Sequence, residues 1–496
     1  MKIAGLDIGT TGCKLEIFEE NGKYLERAYR DYPVKRHNDS HEIDINFIME
    51  AVYQVIYEAS EKYRDIGGIG ITSFGETFVM TNEAGKPLYP AMLYTDPRGK
   101  EECQKLVEIF GEKKLACITG LRPHEMYSIS KMMWIKKHQA DIYQQAAHIF
   151  LMADYVVYHL TGKAKIDYSL ASRTMAFDIN ELSWKKEIFD AAEIDVDLMS
   201  QVVPTGTVAG NMTKEAAIRT GLNQDVKIVT ISHDQIAAAV GAGAFDGSTA
   251  VDGAGTVECL TPIYDEIPDI DVMYNGYFSV VPYVFPGKYA AYAFSYTGGA
   301  LIQWCLDTLA KKENLIAKEL GITVNSLLEH DYGTEQPTGL LVLPHFAGAA
   351  TPYMDTGSRG AIIGLTTSTT VVEIYRACME GVAYEMYLNY LALKDSGIQF
   401  KSLNATGGCA QSEVWIQMKA DVLNIPIITL KNTDAGATGS AMITGVAIGL
   451  FEDLKEAAVH MVEEAVTYYP RADMHRKYME IFQRYEKVYN AVRPLV

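Results

Sequence analysis

Apolar residues recur along this chain in two alternating patterns. One has the three- and four-residue spacing of an amphipathic helix, and it covers residues 47–62, 130–137, 154–160, 371–393 and 412–423. The other is a short apolar run typical of a buried strand, and it covers residues 67–72, 226–231 and 339–343. Strands that alternate with helices predict an α/β fold in which helices cover the faces of a sheet.

Two similar segments suggest that this architecture occurs twice. Residues 3–15 read IAGLDIGTTGCKL: an apolar strand, an aspartate, a Gly-Thr turn and a second strand. Residues 249–260 read TAVDGAGTVECL, which has the same order. The pattern is short, so chance similarity between two ordinary turns is the alternative. With duplication, the domains are predicted to be 1–246 and 247–496, divided where an Ala/Gly-rich helix ends in FDGS.

Composition narrows the function classes. With 496 residues the chain exceeds a single hydrophobic core, and 48% hydrophobic with 22% charged residues is typical of a globular protein. The formal net charge of −19 disfavours a nucleic-acid partner. We expect no membrane partner, because the longest apolar stretch, near 441–451, is broken by glycines. The seven cysteines show no CxxC or zinc spacing, and the N-terminus has no signal-peptide core, so we expect a cytoplasmic location.

The Gly-Thr turns are candidates for phosphate binding. The chain has neither a GxxxxGK[ST] loop nor a strict GxGxxG. Gly9 and Gly255 would instead allow the backbone to approach a phosphate closely, while Thr10, Thr11 and Thr256 would donate hydrogen bonds to its oxygens. Two such turns facing each other would hold a triphosphate from both sides. The alternative is a pair of ordinary β-turns.

Asp7 precedes the first of these turns. We expect no local cation beside Asp7, because Lys14, the nearest one in the hairpin, is seven residues further along. A carboxylate beside phosphate is repulsive unless a cation intervenes, so we expect Asp7 to act through Mg²⁺. An Asx turn that caps its own backbone is an equally good interpretation.

Asp234 lies where an apolar strand meets an Ala-rich helix, in VTISHDQIAAAVGAGAF (229–245). The helix dipole would favour its ionised form, and a carboxylate at the end of a strand in a cleft can act as a general base. Capping of the helix by Ser232 or Asp234 explains the same pattern without catalysis.

Two other segments carry weaker signals. In ATGGCAQSEVW (405–415) a Gly-Gly loop leads into a helix, and such a loop could lie against a ring or a phosphate. Between 71 and 98, Glu76, Asp96 and Arg98 stand near turns, where polar groups could bind the hydroxyls of a polyol. The alternative is a solvent-exposed loop without a binding function, which has the same composition.

Taken in order, the motifs resemble those of the FGGY carbohydrate kinases, in the sugar kinase and actin-like ATPase superfamily. LDIGTTGCK and VDGAGTVE are similar to its two phosphate motifs, and MYSISKMMWIKKH (126–138) to its first signature. GAIIGL with EIYRACME (360–380) is similar to its second signature and departs from it at Cys378. The resemblance implies two duplicated ribonuclease H-like (actin-like ATPase) domains with a cleft between them, ATP and Mg²⁺ as cofactors, and a homodimer.

Matching positions imply roles for individual residues. Asp234 resembles the catalytic base, Gln235 its substrate-contacting neighbour and Asp7 the magnesium-linked carboxylate. Sugar contacts are implied for Glu76, Asp96 and Arg98. Nucleotide or phosphate contacts are implied for Thr10, Thr11, Gly255, Thr256, Gly299, Gln303, Gly408 and Ser412.

The resemblance predicts ATP-dependent phosphorylation of a small sugar, a ketopentose or ketohexose such as xylulose. Glycerol kinases carry Arg-Glu-Thr where this chain has Gly75-Glu76-Thr77, and loss of that arginine is expected to widen the pocket. SFGETF also lacks the Met-His-Gly of xylulose kinases, although those members look nearest. The alternatives are a kinase for another polyol or aldonate (glycerol, erythritol, gluconate) and a non-catalytic nucleotide-binding regulator.

Overall fold

Two six-stranded sheets form the frame of the protein. The computed structural model describes residues 1–37, 40–267, 270–330, 336–432 and 434–496. The first sheet contains β1 (Lys2–Ile8), β2 (Gly12–Glu19), β3 (Tyr24–Asp31), β4 (Ile66–Ser73), β5 (Thr207–Asn211) and β6 (Lys227–His233). The second contains β7 (Thr249–Ala254), β8 (Glu258–Thr261), β9 (Ala293–Ser295), β10 (Ser402–Thr406), β11 (Ile427–Leu430) and β12 (Glu464–Tyr468).

The two sheets have the same strand order. The first runs β5-β6-β4-β1-β2-β3 and the second β12-β11-β10-β7-β8-β9. In each, the strand with the phosphate-motif aspartate pairs antiparallel with the next strand and parallel with a strand reached by a crossover. The duplicated α/β architecture predicted from the two hairpins is therefore confirmed. The boundary between 246 and 247 stays a prediction.

Helices cover the sheets. In the first half they are α1 (Ile45–Lys62), α2 (Lys100–Phe110), α3 (Glu112–Thr119), α4 (Ser128–His138), α5 (Ala140–Gln145), α6 (Met152–Thr161), α7 (Tyr168–Ser172), α8 (Lys186–Ala192), α9 (Lys214–Thr220) and α10 (Asp234–Gly241). In the second half they are α11 (Ile270–Asn275), α12 (Gly299–Thr308), α13 (Lys311–Leu320), α14 (Val324–His330), α15 (Val371–Asp395), α16 (Glu413–Leu423), α17 (Ala435–Ala447), α18 (Leu454–Met461), α19 (Ala472–Tyr485) and α20 (Val488–Val492).

Short strand pairs complete the fold. They comprise Lys35–His37 with Ser40–Ile43 and Ala91–Met92; Phe78–Thr81 with His148–Leu151; Lys165–Asp167 with Gln201–Val203; Phe177–Asp178 with Ser183–Trp184; Ile263–Tyr264 with Tyr289–Ala290 and Val281–Pro282; and Leu341–Leu343 with Ala361–Ile363. Among the helices of the described residues, none has both the length and the apolar character required to cross a membrane.

Helices α10 and α17 cross between the two halves with their backbones in close contact. A Cβ on Gly439 would collide with the carbonyl oxygen of Ala237 and lie 2.7 Å from the backbone nitrogen of Gly241. A Cβ on Gly241 would in turn collide with the carbonyl oxygen of Ala435. The small residues of these helices therefore set how closely the two sheets approach each other.

Candidate active site

A cavity of about 380 Å³ lies between the two halves and is lined by residues from both. The first half contributes the β1–β2 turn, the loop after β4 and the start of α10; the second contributes segments beside β8 and β9. Of the residues selected from sequence, the cavity brings together Thr10, Thr11, Glu76, Asp234 and Gln235. They come from three separate segments of the chain, so the fold itself assembles the cluster.

Asp234 is the first residue of α10, directly after β6 ends at His233. His233 is the N-cap of that helix, and no side chain caps it. The hydroxyl of Ser232 donates instead to the carbonyl of His233, at 3.1 Å. The capping interpretation of Ser232 or Asp234 is therefore not realised, and the Asp234 carboxylate lines the cavity.

The surroundings of Asp234 favour its protonated form at neutral pH. Burial raises the pKa of Asp234 to about 8; the charges of Asp7 and Glu76 act in the same direction, and Lys14 opposes them. A carboxyl group with a pKa near the working pH is suited to proton transfer, because it both accepts and releases a proton readily.

His233 lies beside this carboxyl group, a contact that the sequence pattern did not reveal. Its Nε2 lies 3.2 Å from Asp234 Oδ1, and its Nδ1 lies 3.0 Å from the hydroxyl of Tyr292. Burial and the charge of Arg173 hold the pKa of His233 well below its usual value, so the ring is neutral.

Glu76 faces the same cavity and is bound by Arg173, the residue that follows α7. Arg173 Nε donates to Glu76 Oε1 at 2.6 Å, and Nη2 contacts the same oxygen. Both side chains are about 6% exposed. Glu76 has a left-handed backbone (φ 61°), and its carbonyl accepts from Ser128 Oγ at 2.6 Å. Arg173 is a second site residue that the sequence analysis missed.

The space beside Gly75, where the sequence predicts a wider pocket, is occupied by other side chains. A Cβ on Gly75 would lie 2.8 Å from Cγ of Arg173 and 3.0 Å from Cδ2 of His233. The space beside Gly75 is therefore filled by an arginine from another part of the chain.

Asp96 and Arg98 lie outside this cavity. Arg98 Nε donates to Asp96 Oδ1 at 2.8 Å and Nη2 to Glu42 at 2.7 Å, while the guanidinium lies 5.0 Å from the centre of the Trp134 ring. Asp96 also accepts from the backbone of His41 and is 1% exposed. These polar groups therefore bind one another, and the structure does not bring the predicted sugar contacts Asp96 and Arg98 to the cavity.

Asp7 has a local cation, contrary to expectation. The register of the β1–β2 hairpin places Lys14 directly opposite Asp7, and Lys14 Nζ lies 3.2 Å from Asp7 Oδ2. Lys14 also donates to Asp434, which pairs with Arg27 at 2.9 Å. Lys14 thus supplies part of the positive charge that the sequence predicts to come from a metal ion.

A second cavity, of about 730 Å³, is lined by residues of α12, α15 and the Gly-Gly loop. It contains all four residues selected for the nucleotide: Gly299, Gln303, Gly408 and Ser412. Ser412 accepts from the backbone of Trp415 and so caps α16. A Cβ on Gly408 would meet no atom within 4 Å, so the backbone there is open to a ligand.

The turn at Gly255 and Thr256 lies between the two cavities, although neither residue lines either of them. The backbone nitrogen of Gly299, in the second cavity, donates to the carbonyl of Gly255 at 2.8 Å. Val257, next along the turn, lines the first cavity. A ligand that extended from one cavity to the other would pass this turn.

Comparison with known proteins identifies the family of this chain. Residues 2–241 match the model of the FGGY family of carbohydrate kinases, N-terminal domain, and residues 254–448 match that of the C-terminal domain. Xylulose kinase of Bacillus subtilis is 26% identical over 99% of this chain and 97% of its own, and glycerol kinase of Lactococcus lactis 30% identical over 99% and 98%. The gluconate kinase structure from Lactobacillus acidophilus superposes with a TM-score of 0.89, at 24% identity over 99% of this chain and 98% of that one. This chain belongs to the FGGY family of carbohydrate kinases.

Proposed function

We propose that the protein transfers the terminal phosphate of ATP to a hydroxyl group of a small sugar, a ketopentose or ketohexose such as xylulose. The observation that supports this most is the Asp234 carboxylate, which lines an interdomain cavity with a pKa close to neutral. The similarity to xylulose kinases supports the choice of sugar. Glycerol and gluconate kinases are also similar, so another polyol or aldonate is the second candidate.

In the proposed reaction Asp234 accepts the proton of the sugar hydroxyl. The hydroxyl oxygen forms a bond to the terminal phosphorus, the bond from that phosphorus to the bridging oxygen breaks, and ADP leaves. Positioning and charge neutralisation supply most of the catalysis in such transfers. Glu76 and Gln235 would hold the sugar in the first cavity.

The nucleotide would occupy the second cavity. Gly299, Gln303, Gly408 and Ser412 would surround it there, and its phosphates would extend past Gly255 and Thr256 towards Thr10 and Thr11. The Lys14 ammonium group, beside the first turn, would add positive charge near those phosphates. Residues 1–246 would thus bind the sugar and residues 247–496 the nucleotide.

Mg²⁺ fits this site only together with the nucleotide. Within the described residues, no cluster of three or more His, Cys, Asp or Glu side chains is placed to hold a metal ion. Asp7 is a single carboxylate, and Mg²⁺ is commonly bound by one or two carboxylates plus substrate phosphates and water. Asp7 would therefore hold Mg²⁺ that arrives with ATP, and the ion would neutralise phosphate charge. A cytoplasmic homodimer remains part of the proposal.

An ADP-release assay over ketopentoses, ketohexoses, alditols and aldonates tests the proposed function. We expect sugar-dependent ADP formation with the highest kcat/KM for a ketose. A preference for glycerol or gluconate would favour the second candidate. ADP formation with no member of the panel, in a protein that binds ATP, would instead indicate a nucleotide-binding regulator.

The pH dependence should report the raised pKa of Asp234. Because only the deprotonated carboxylate accepts a proton, kcat/KM should rise with pH with unit slope and level off above about 8. The phosphate groups of bound ATP and the cation they bring change the charge near Asp234, so kcat should level off at a different pH. A profile measured in buffers of constant ionic strength checks this. An acid limb at the ordinary carboxyl pKa would contradict the assignment.

Gly255→Val should weaken ATP binding by about tenfold or more, because the added side chain would occupy the space beside the phosphates. A Cβ at Gly255 meets only the carbonyl of Val257, at 3.7 Å, so the nucleotide-free protein should fold normally. The thermal midpoint without ligand should be unchanged, and its increase at a fixed ATP concentration should be smaller than in wild type. Sugar binding, measured by calorimetry, is the control; an unaltered ATP affinity would remove Gly255 from the phosphate site.

A further inference from the structure

Two residues that line the cavity containing Asp234 each carry a buried polar side-chain atom with no hydrogen-bond partner in the described part of the chain. The atoms are Nη1 of Arg173, from the first half, and Oγ of Ser279, from the second. Buried donors are almost always paired, and an unpaired charged donor is costly. Two such atoms around one cavity indicate that a ligand with several oxygen atoms completes their hydrogen bonds.

Arg173 is the stronger of the two candidates, because the protein fixes it on several sides. Glu76 binds Nε and Nη2, and the guanidinium carbon lies 5.2 Å from the ring centre of Tyr127 and 5.4 Å from that of Tyr292. These contacts leave Nη1 as the part of the guanidinium without a hydrogen bond among the described residues. The guanidinium is therefore held in one orientation before the ligand arrives.

Gly75 makes this arrangement possible. Any side chain at position 75 would begin 2.8 Å from Cγ of Arg173, so the two side chains compete for the same space. Glycine at this position admits the arginine that follows α7 to the wall of the cavity. Arg173 thus supplies a guanidinium beside Glu76 although position 75 itself carries none.

We infer that Arg173 is a specificity-determining residue whose Nη1 donates to one particular oxygen atom of the sugar, with Glu76 orienting the guanidinium and Gly75 admitting it. This inference rests on the proposed sugar-kinase function, and it identifies the side chain that distinguishes one polyol from another. Arg173 and Glu76 neutralise each other, so the pair recognises a hydroxyl or carbonyl oxygen and gives no advantage to a carboxylate.

The test compares Arg173→Lys with wild type on ligands that lack single hydroxyl groups. Binding of D-xylulose, xylitol, glycerol and D-gluconate is first measured by calorimetry, and the tightest ligand is then compared with its single-deoxy analogues. Wild type should lose about 10- to 100-fold in affinity for one analogue in particular. Arg173→Lys should bind the parent sugar about 10- to 100-fold more weakly, yet bind that one analogue about as well as wild type does.

Arg219→Lys is the matched control. Arg219 also pairs with a glutamate, Glu50 at 3.0 Å, and its guanidinium carbon lies 3.7 Å from the ring centre of Tyr53, but it lies outside both cavities. We expect it to leave sugar affinity and kcat unchanged. In Gly75→Ala the added methyl group would displace the side chain of Arg173 without removing its guanidinium. This variant should therefore raise KM for the parent sugar more than it lowers kcat.

The outcomes separate this inference from the proposed function. If Arg173→Lys weakens all analogues equally, or if no single deoxy analogue is penalised in wild type, Arg173 only supports the fold while the kinase function stands. If wild type phosphorylates and binds none of the four ligands, the proposed function fails and this inference with it. The analogue series on wild type can still overturn the inference if Arg173→Lys does not fold.

Discussion

Asp234→Asn is expected to lower kcat by about 10²- to 10⁴-fold, with little change in ATP affinity. An amide keeps the shape of the carboxyl group and can keep its contact with His233, whose Nε2 lies 3.2 Å from Asp234 Oδ1. It cannot take up the proton of the sugar hydroxyl. The loss should therefore fall on the chemical step, which single-turnover kinetics with saturating ATP and sugar would measure directly.

Asp154→Asn is a suitable control for this result. Burial raises the pKa of Asp154 to about 8, as it does for Asp234, but Asp154 accepts from Ser200 Oγ at 2.6 Å and lies outside the cavity. Replacing a buried carboxyl group outside the cavity should not affect turnover, so kcat of Asp154→Asn should stay near that of wild type. Near-normal kcat in Asp234→Asn would remove Asp234 as the base.

The sequence allowed the frame of the fold to be predicted because its signals are local. The helical spacing at 371–393 corresponds to α15 (Val371–Asp395), and the apolar run at 67–72 corresponds to β4. The two hairpins are also local patterns, and the structure gives them equivalent positions in the two sheets. Periodicity identifies such elements without knowledge of their partners.

The site could be predicted only in part, because several of its contacts join distant residues. Arg173 reaches Glu76 across 97 positions of sequence, so the space beside Gly75 could not be judged from the loop itself. Lys14 is seven residues from Asp7, but antiparallel pairing places the two side by side. Conversely, Asp96 and Arg98 have the composition of a sugar site, but each binds the other and neither lines the cavity.

Gly439→Ala is expected to destabilise the protein by about 3 kcal/mol, near the upper end of what overpacking usually costs. The added methyl group would collide with the carbonyl oxygen of Ala237 and force α10 and α17 apart. Separation of these helices would also displace Asp234, at the start of α10, from Asp7, which lies near α17: a Cβ on Gly436 would be 2.6 Å from Asp7 Oδ2. Turnover should therefore decrease along with stability.

Gly210→Ala, in β5, provides the comparison for Gly439→Ala. A Cβ at Gly210 would make ordinary contacts, the nearest of them with Cβ of Thr161 at 3.6 Å. The midpoint of urea unfolding of Gly210→Ala should therefore shift, in either direction, by less than the midpoint of Gly439→Ala. Gly439→Val should be more destabilising than Gly439→Ala, because the larger side chain needs a wider separation of the helices. Equal midpoints for Gly439→Ala and wild type would show that the two helices can separate freely, and the crossing would then not determine where the two halves of the active site meet.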